Sequence, residues 1–427
     1  MKLSISEEKQ RSARVIGFAL LCVVCLHILF MALSGKHPLS DNPYDSFLKQ
    51  ALSWLQGRLD LGENYGWLEL AEYGGKYYVS FPPFPSYVLL PFALVFGEQT
   101  PDSLLAFLVM LIGVCYSAKI ALHFRLSEFA CVFFAVFLYA ANNLWQITVD
   151  GWVWFFAQNL SFTLSLMSFY YALSGQKGRS YFCLAAAVGC RPFQVIYLPV
   201  ICIILYQKQP GKDFREKTEN FIWKRPFSYL PAAILVISYL VLNVLRFGEP
   251  FEFGHNYLPE FINSKYGQFS LHYVWDNLQK LFRLPVLNAV TGKIDTFGFD
   301  GINVFTVYPL LILFIVLFFR RLFVANAQRR AYFRLVLPTL VLCTVHVFFF
   351  LMHKTMGGAH FGNRYIADVM PVIYVLSVLS AAPSTVKKEG SGEPKGRITL
   401  FHLLCALLFL SGLVFNFTGV LEFYNRG

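Results

Sequence analysis

Apolar runs of about twenty residues recur from Val15 to Phe415, and nothing else in the chain constrains its fold as strongly. Backbone polar groups in hydrocarbon must be satisfied internally, so only helices or closed barrels cross a bilayer. The runs are continuous rather than alternating, which selects helices. A chain that is 56% hydrophobic and 14% charged has too little polar surface for a water-soluble protein of 427 residues. The sequence therefore predicts an all-α polytopic membrane protein forming a single integral domain over residues 1–427. The formal charge of +11 does not point to nucleic acid, because the excess lies in loops where cytoplasmic basic residues belong. The nine cysteines are scattered, mostly within apolar spans and without a CxxC pair, so they form neither a disulfide framework nor a zinc site.

Loop charge orders the spans. A basic N-terminus (Lys2, Lys9, Arg11, Arg14) precedes an uncleaved span over 15–33, which places the N-terminus in the cytoplasm. The loop 34–103 is then extracytoplasmic, and its run 87–96, bounded by Pro82, Pro83, Pro85 and Gly97, is too short to cross. It reads as a re-entrant or interfacial helix. Spans follow over 104–122, 129–147 and 152–172. The segment 181–206 has basic loops on both sides and an Arg191-Pro192 interruption, which favours two short half-helices over one tilted span. A charged cytoplasmic stretch, 208–225, leads to span 228–246 and a second large extracytoplasmic loop, 247–303. The rest reads as spans 304–319, 335–352, 366–382 and 398–416, with a Gly/Ser/Lys loop at 384–397. The total is about eleven membrane helices, two of them short, with the C-terminus extracytoplasmic.

Polar residues collect in the outer loops. Residues 41–56 carry Tyr44, Phe47, Leu48, Ala51, Leu52 and Leu55 at helical spacing, an amphipathic helix with Asp41 at its start and Asp45 one turn on. Asp41 suits a helix cap as well as chemistry, while Asp45, one turn in, is less needed as a cap and suits a solvated polar face. Asp150 lies in WQITVDGWVWFF, where an acid at the membrane edge is costly unless it caps a helix or works. GGAHFGNRYIADVMP brings His360, Arg364, Tyr365 and Asp368 together. Its Arg and His suit a phosphate, while the Arg-Tyr pair equally suits an interface anchor. Arg191, within apolar sequence, needs an acid or a lipid phosphate as partner. The aromatic and acidic loop 247–303 suits a sugar or headgroup surface and equally an interfacial helix on lipid, the reading taken for 271–284.

Together these stretches resemble the GT-C superfamily of glycosyltransferases, closest to its protein mannosyltransferase and aminoarabinose transferase branch. The residues carrying the resemblance are DNPYDSFLKQALSWLQGRLDL, GGKYYVSFPPFPSYVLLPFALVFG and FGNRYIADVMP, and residues 1–195 match best. The resemblance implies a multi-pass enzyme of the cell (inner) membrane, with its active site on the extracytoplasmic face. It would transfer a sugar, with inversion, from a polyprenyl-phosphate donor to a lipid, glycan or protein acceptor. Asp41 matches the first-loop catalytic acid, with Asp45 the competing assignment, and Asp150 matches the acid of the second outer loop. Where some members carry Lys before the Pro-Pro pair, this chain has Ser80-Phe81, so Lys76, Arg191, His360 and Arg364 all stand as candidates for the donor phosphate. Tyr44, Tyr77, Tyr78 and Tyr365 are the expected substrate-binding aromatics. The family includes metal-dependent members, which leaves a divalent metal possible.

Such a reaction needs a base for the acceptor hydroxyl and cations for the departing phosphate. On this reading Asp41, Asp150 and Arg364 surround one outer cavity. The competing readings are a transporter or lipid flippase, disfavoured by the lack of paired inverted halves, and a non-catalytic component of cell-envelope polymer assembly.

Overall fold

In the computed structural model, residues 4–287, 294–295, 301–323, 326–383 and 399–425 are described; the Gly/Ser/Lys loop 384–397 and part of the loop 247–303 lie outside them. The architecture is a helical membrane bundle. Among the described residues, five helices are long and apolar enough to cross a bilayer: α1 (Ile5–Ser34), α4 (Asp102–His123), α11 (Leu230–Phe247, extended backward by a 3₁₀ turn from Pro226), α16 (Asn326–Met352) and α18 (Leu400–Asn425). Between them run α5 (Glu128–Ala140), α6 (Trp145–Val149), α7 (Val153–Leu173), α8 (Lys177–Val188), α9 (Leu198–Gln207), α10 (Phe214–Trp223), α14 (Val304–Val307), α15 (Pro309–Arg321) and α17 (Met370–Ala381).

Several expected spans are broken where the chain supplies a reason. The stretch 129–147 divides between α5 and α6 at Asn142-Asn143, whose side chains serve the interior: Asn142 Nδ2 donates to Phe137 O (2.8 Å) and Asn143 Nδ2 to Phe361 O (2.9 Å). Pro309 separates α14 from α15 for want of an N–H. The segment 181–206 is two helices, α8 and α9, interrupted at Gly189–Arg191 and joined by a 3₁₀ turn over Pro192–Tyr197. Tyr239 Oη would lie 2.2 Å from a Cβ placed on Gly189, so only glycine lets α11 approach there.

The first loop differs from the sequence expectation in two respects. Its helix, α2, covers Ser46–Leu55 and not 41–56. Pro43 disfavours helical backbone at Asn42, and Asn42 Oδ1 instead accepts from the Tyr44 amide (2.9 Å), an Asx turn that delays the helix start. Phe47, Leu48 and Ala51 bury the apolar face of α2 in a cluster with Leu89 and Ala93 of α3 (Phe84–Phe96) and Val153 and Phe156 of α7. Each large side chain so buried contributes roughly 1.5–3 kcal/mol.

The second difference is that the chain is not all-α. Leu70–Tyr73 (β1) and Lys76–Val79 (β2) pair antiparallel with Leu70 opposite Val79. The turn Gly74-Gly75 has φ of 59° and 73°, the left-handed pair that a tight two-residue hairpin needs. Arg246 Nη1 donates to Val79 O (3.1 Å), and the Tyr78 and Phe247 rings pack 5.2 Å apart, which fixes the hairpin to the end of α11. A second two-stranded pair, Val286–Leu287 (β3) with Ile294–Asp295 (β4), lies in the loop 247–303. Short helices α12 (Pro259–Ile262) and α13 (Val274–Phe282) occupy the same loop, α13 within the expected interfacial stretch.

Candidate active site

A cavity of about 730 Å³ opens where α7 begins, α8 breaks and the hairpin meets the loop before α17. Its spine is the first turn of α7. Trp154 Nε1 donates to Glu69 Oε2 (3.0 Å), and the Trp154 carbonyl accepts from Arg364 Nη1 (3.5 Å). One turn on, Gln158 Nε2 donates to both Arg364 O and Asp368 Oδ1 (2.8 Å each). Residues four apart share one helix face, so Trp154 meets the Arg364 side chain while Gln158 ties both ends of the Arg364–Asp368 turn.

The start of α7 is itself pinned. Asn42 Nδ2 donates to Gly151 O (2.8 Å) and to the Asp102 carboxylate, Gly151 N donates to Ser103 Oγ (3.1 Å), and Val153 N donates to Tyr44 O (2.9 Å). A Cβ on Gly151 would lie 2.7 Å from the Asp102 backbone, so glycine is required there for the close approach. The segment carrying Asp150 is therefore a seam that seats α7 on α4.

Two arginines reach the cavity in different states. Arg191 Nε pairs with Asp368 Oδ2 at 2.9 Å, and Asp368 is otherwise satisfied, with Gln158 on Oδ1 and Gln194 Nε2 donating to its carbonyl (2.9 Å). Arg364 makes no ion pair among the described residues; its Nη2 donates to Gly357 O (2.6 Å), and Nε is buried without a partner. Burial lowers its pKa to about 10, which leaves it cationic at neutral pH. The Tyr365 ring stands 5.2 Å from each guanidinium.

Among the described residues, three carboxyl groups line the cavity: Glu69, Glu260 and Asp368. Glu69 precedes β1, its carbonyl accepting from Ser80 Oγ (2.9 Å) across the hairpin. Burial raises its pKa, against the lowering effect of the Trp154 hydrogen bond, and neighbouring Glu260 raises it further. Burial likewise raises Glu260, opposed by Lys354. His255 and His353 line the same space. Burial lowers them to about 4 and about 3, so both are neutral at physiological pH.

The sequence candidates are distributed unevenly over this geometry. Arg364, Arg191, Tyr365 and Tyr44 line the cavity. Asp41 is exposed and Asp45 pairs with Lys49 (3.4 Å), both outside the cavity, so Asp41, Asp150 and Arg364 do not surround one space. Asp150 is buried beside Tyr424 and Lys36, off the cavity, with burial raising its pKa. Lys76 is exposed on β2 and pairs with Asp60 (3.4 Å). Tyr77 and Tyr78 belong to the hairpin's own packing. His360 lies buried behind the arginine, its Nδ1 donating to Gly358 O (2.7 Å), and burial lowers its pKa to about 4. Sequence reasoning passed over Glu69, Glu260 and Trp154. Among the described residues no group of three or more His, Cys, Asp or Glu side chains could share an ion, so the possible divalent metal has no ready ligand set.

No family model matches the chain, and no curated protein matches it. Among solved structures, it is similar to apo ArnT from Cupriavidus metallidurans (14% identity, TM-score 0.47), covering 85% of this chain and 59% of that one. The same protein bound to undecaprenyl phosphate aligns at 16% identity and TM-score 0.45, covering 85% and 60%. The Archaeoglobus fulgidus oligosaccharyltransferase in its apo form aligns at 12% and 0.48, covering 97% and 56%. The chain spans less than two thirds of their length, and a likeness at this level assigns no residue a role.

Proposed function

We propose that this chain is a membrane glycosyltransferase that moves a sugar from a polyprenyl-phosphate donor to an acceptor hydroxyl in the cavity at the start of α7. The observation that carries the reading is one cavity lined by a partly buried carboxylate, Glu69, an arginine without an acid partner among the described residues, Arg364, and aromatic faces from Tyr44, Trp152, Trp154 and Tyr365. Glu69 takes the proton of the acceptor hydroxyl as its oxygen attacks the anomeric carbon. The bond from that carbon to the phosphate oxygen breaks, and Arg364 stabilises the charge left on the phosphate. Direct displacement from the opposite face inverts the anomeric centre. Arg191 is already neutralised by Asp368 and shapes the wall, its remaining N–H groups lending a weaker share of positive potential. The basic ends of α15 and α16 (Arg320, Arg321, Arg329, Arg330) are separated from the cavity by these helices, which supports an extracytoplasmic site.

The test uses the chain in proteoliposomes with a labelled polyprenyl-phosphate sugar and a membrane extract as acceptor source, and follows release of free polyprenyl phosphate. The wild type should release it, and Glu69→Gln should lower the rate about 10²–10⁴-fold, the usual contribution of a positioned base. Release unchanged in Glu69→Gln would remove Glu69 from the mechanism. No release from any donor by the folded wild type would remove the glycosyltransferase reading.

A further inference from the structure

One residue touches both ends of this chemistry. Trp154 reaches the Glu69 carboxylate through its indole N–H (3.0 Å) and the Arg364 guanidinium through its backbone carbonyl (3.5 Å). Its own place is fixed on three sides. The Tyr44 ring packs 5.0 Å from it and the Phe155 ring 6.4 Å, while the neighbouring Val153 amide is tied to Tyr44 O. Glu69 is anchored in turn through Ser80 on the opposite strand of the hairpin. The path from hairpin to arginine thus runs through one residue on the first turn of α7, its indole toward Glu69 and its backbone carbonyl toward Arg364.

We propose, building on the glycosyltransferase reading above, that Trp154 is a positioning residue: it turns Glu69 Oε2 toward α7, leaves Oε1 for the acceptor hydroxyl, and sets the distance from base to phosphate cation. A carboxylate at the end of a two-stranded hairpin would otherwise sample several rotamers, and catalysis by a base falls steeply when its geometry is lost. The indole has a further effect, because its hydrogen bond favours the ionised carboxylate, the form a base requires. Around Glu69, Glu260 of α12 acts in the opposite sense and Arg364 in the same sense, and the flanking His255 and His353 are neutral.

Trp154→Phe keeps a ring against Tyr44 and removes the N–H together with part of the indole's volume. Transfer is measured as kcat/KM from pH 5 to 9 in the full-length chain. The activity of a base falls below its pKa, and loss of a donor to the ionised form raises that pKa. The acid limb of the Trp154→Phe profile should therefore move up by about one pH unit, the equivalent of one charge-assisted hydrogen bond. The high-pH plateau should fall several-fold. Glu69→Asp, which withdraws the carboxylate from an intact indole, should move the limb in the same direction and serves if the phenylalanine variant does not fold. An acid limb at the wild-type position in either folded variant overturns the proposal, as does a loss that is uniform with pH. If Glu69→Gln keeps full activity, it is the underlying choice of base that fails, which separates the two ideas.

Discussion

Arg191 and Arg364 lie against the same ring, each 5.2 Å from the centre of Tyr365, yet their surroundings assign them different work. Arg191 comes from the break in an apolar segment and meets a buried aspartate whose every oxygen is occupied. Arg364 comes from a glycine-rich loop and meets backbone carbonyls, a neutral histidine behind it and open cavity in front. A paired cation holds structure and an unpaired one can receive an anion. That difference, more than the arginines themselves, is the reason the proposed mechanism puts the donor phosphate at Arg364.

The largest expected effect is on the paired side. Asp368→Asn leaves Arg191 without a counter-charge and turns an amide N–H toward it or toward Gln158, so one of two donors loses its acceptor. Removing one partner of a buried pair costs about 3–5 kcal/mol; because Arg191 retains 21% side-chain exposure, about 3 kcal/mol is expected. A thermal melt of the purified chain in detergent should show it as a clear drop in midpoint. An unchanged midpoint would mean the pair contributes nothing to the fold and that Arg191 is as available as Arg364.

Arg364→Ala should act the other way, on transfer and not on folding. With no ion pair to lose among the described residues, stability should fall by about 1–2 kcal/mol for its carbonyl bonds, while transfer drops about 10²–10³-fold, as when a transition-state donor is removed. The same melt and the proteoliposome assay check both halves. Should Arg191→Ala lose more transfer than Arg364→Ala while staying folded, the assignment of the two cations is reversed.

The sequence made parts of this legible for physical reasons. Long uninterrupted apolar runs have one solution in lipid, so the helical bundle followed directly. The demand that Arg191 find a partner also followed, but not that the partner is Asp368, 177 residues away. The hairpin had a local signal that helical reasoning passed over: Gly74-Gly75 between alternating Glu72-Tyr73 and Lys76-Tyr77. The shortened α2 had one as well, in Asn42-Pro43. Glu69 had none. In sequence it is an acid in an aromatic loop, less conspicuous than Asp41 or Asp150, and only contact with Trp154, 85 residues on, gives it an orientation. Site chemistry set by tertiary contact is invisible to local pattern, whereas turns and helix ends are local.

The smallest expected effect is the most exacting test of that distinction, because it falls on the acid that looked most functional. Asp150 is buried between the seam that seats α7 and the Lys36 and Tyr424 side chains, outside the cavity lining. Burial raises its pKa, so the neutral carboxyl is favoured more than in an exposed aspartate, and an asparagine copies that form in size and polarity. Asp150→Asn should therefore keep transfer within a few-fold of wild type and stability within about 1 kcal/mol. Its stability should also vary less with acidification. A carboxyl whose pKa is raised on folding binds its proton more tightly in the native state, so it stabilises the fold as pH falls and destabilises it as pH rises through that pKa; the asparagine lacks this dependence. Melts at pH 5 and pH 8 resolve it as a smaller difference for the variant than for the wild type. If Asp150→Asn instead abolishes transfer as completely as Glu69→Gln while the chain stays folded, then an acid outside the cavity takes part in the chemistry, and the unpaired arginine no longer marks the whole site.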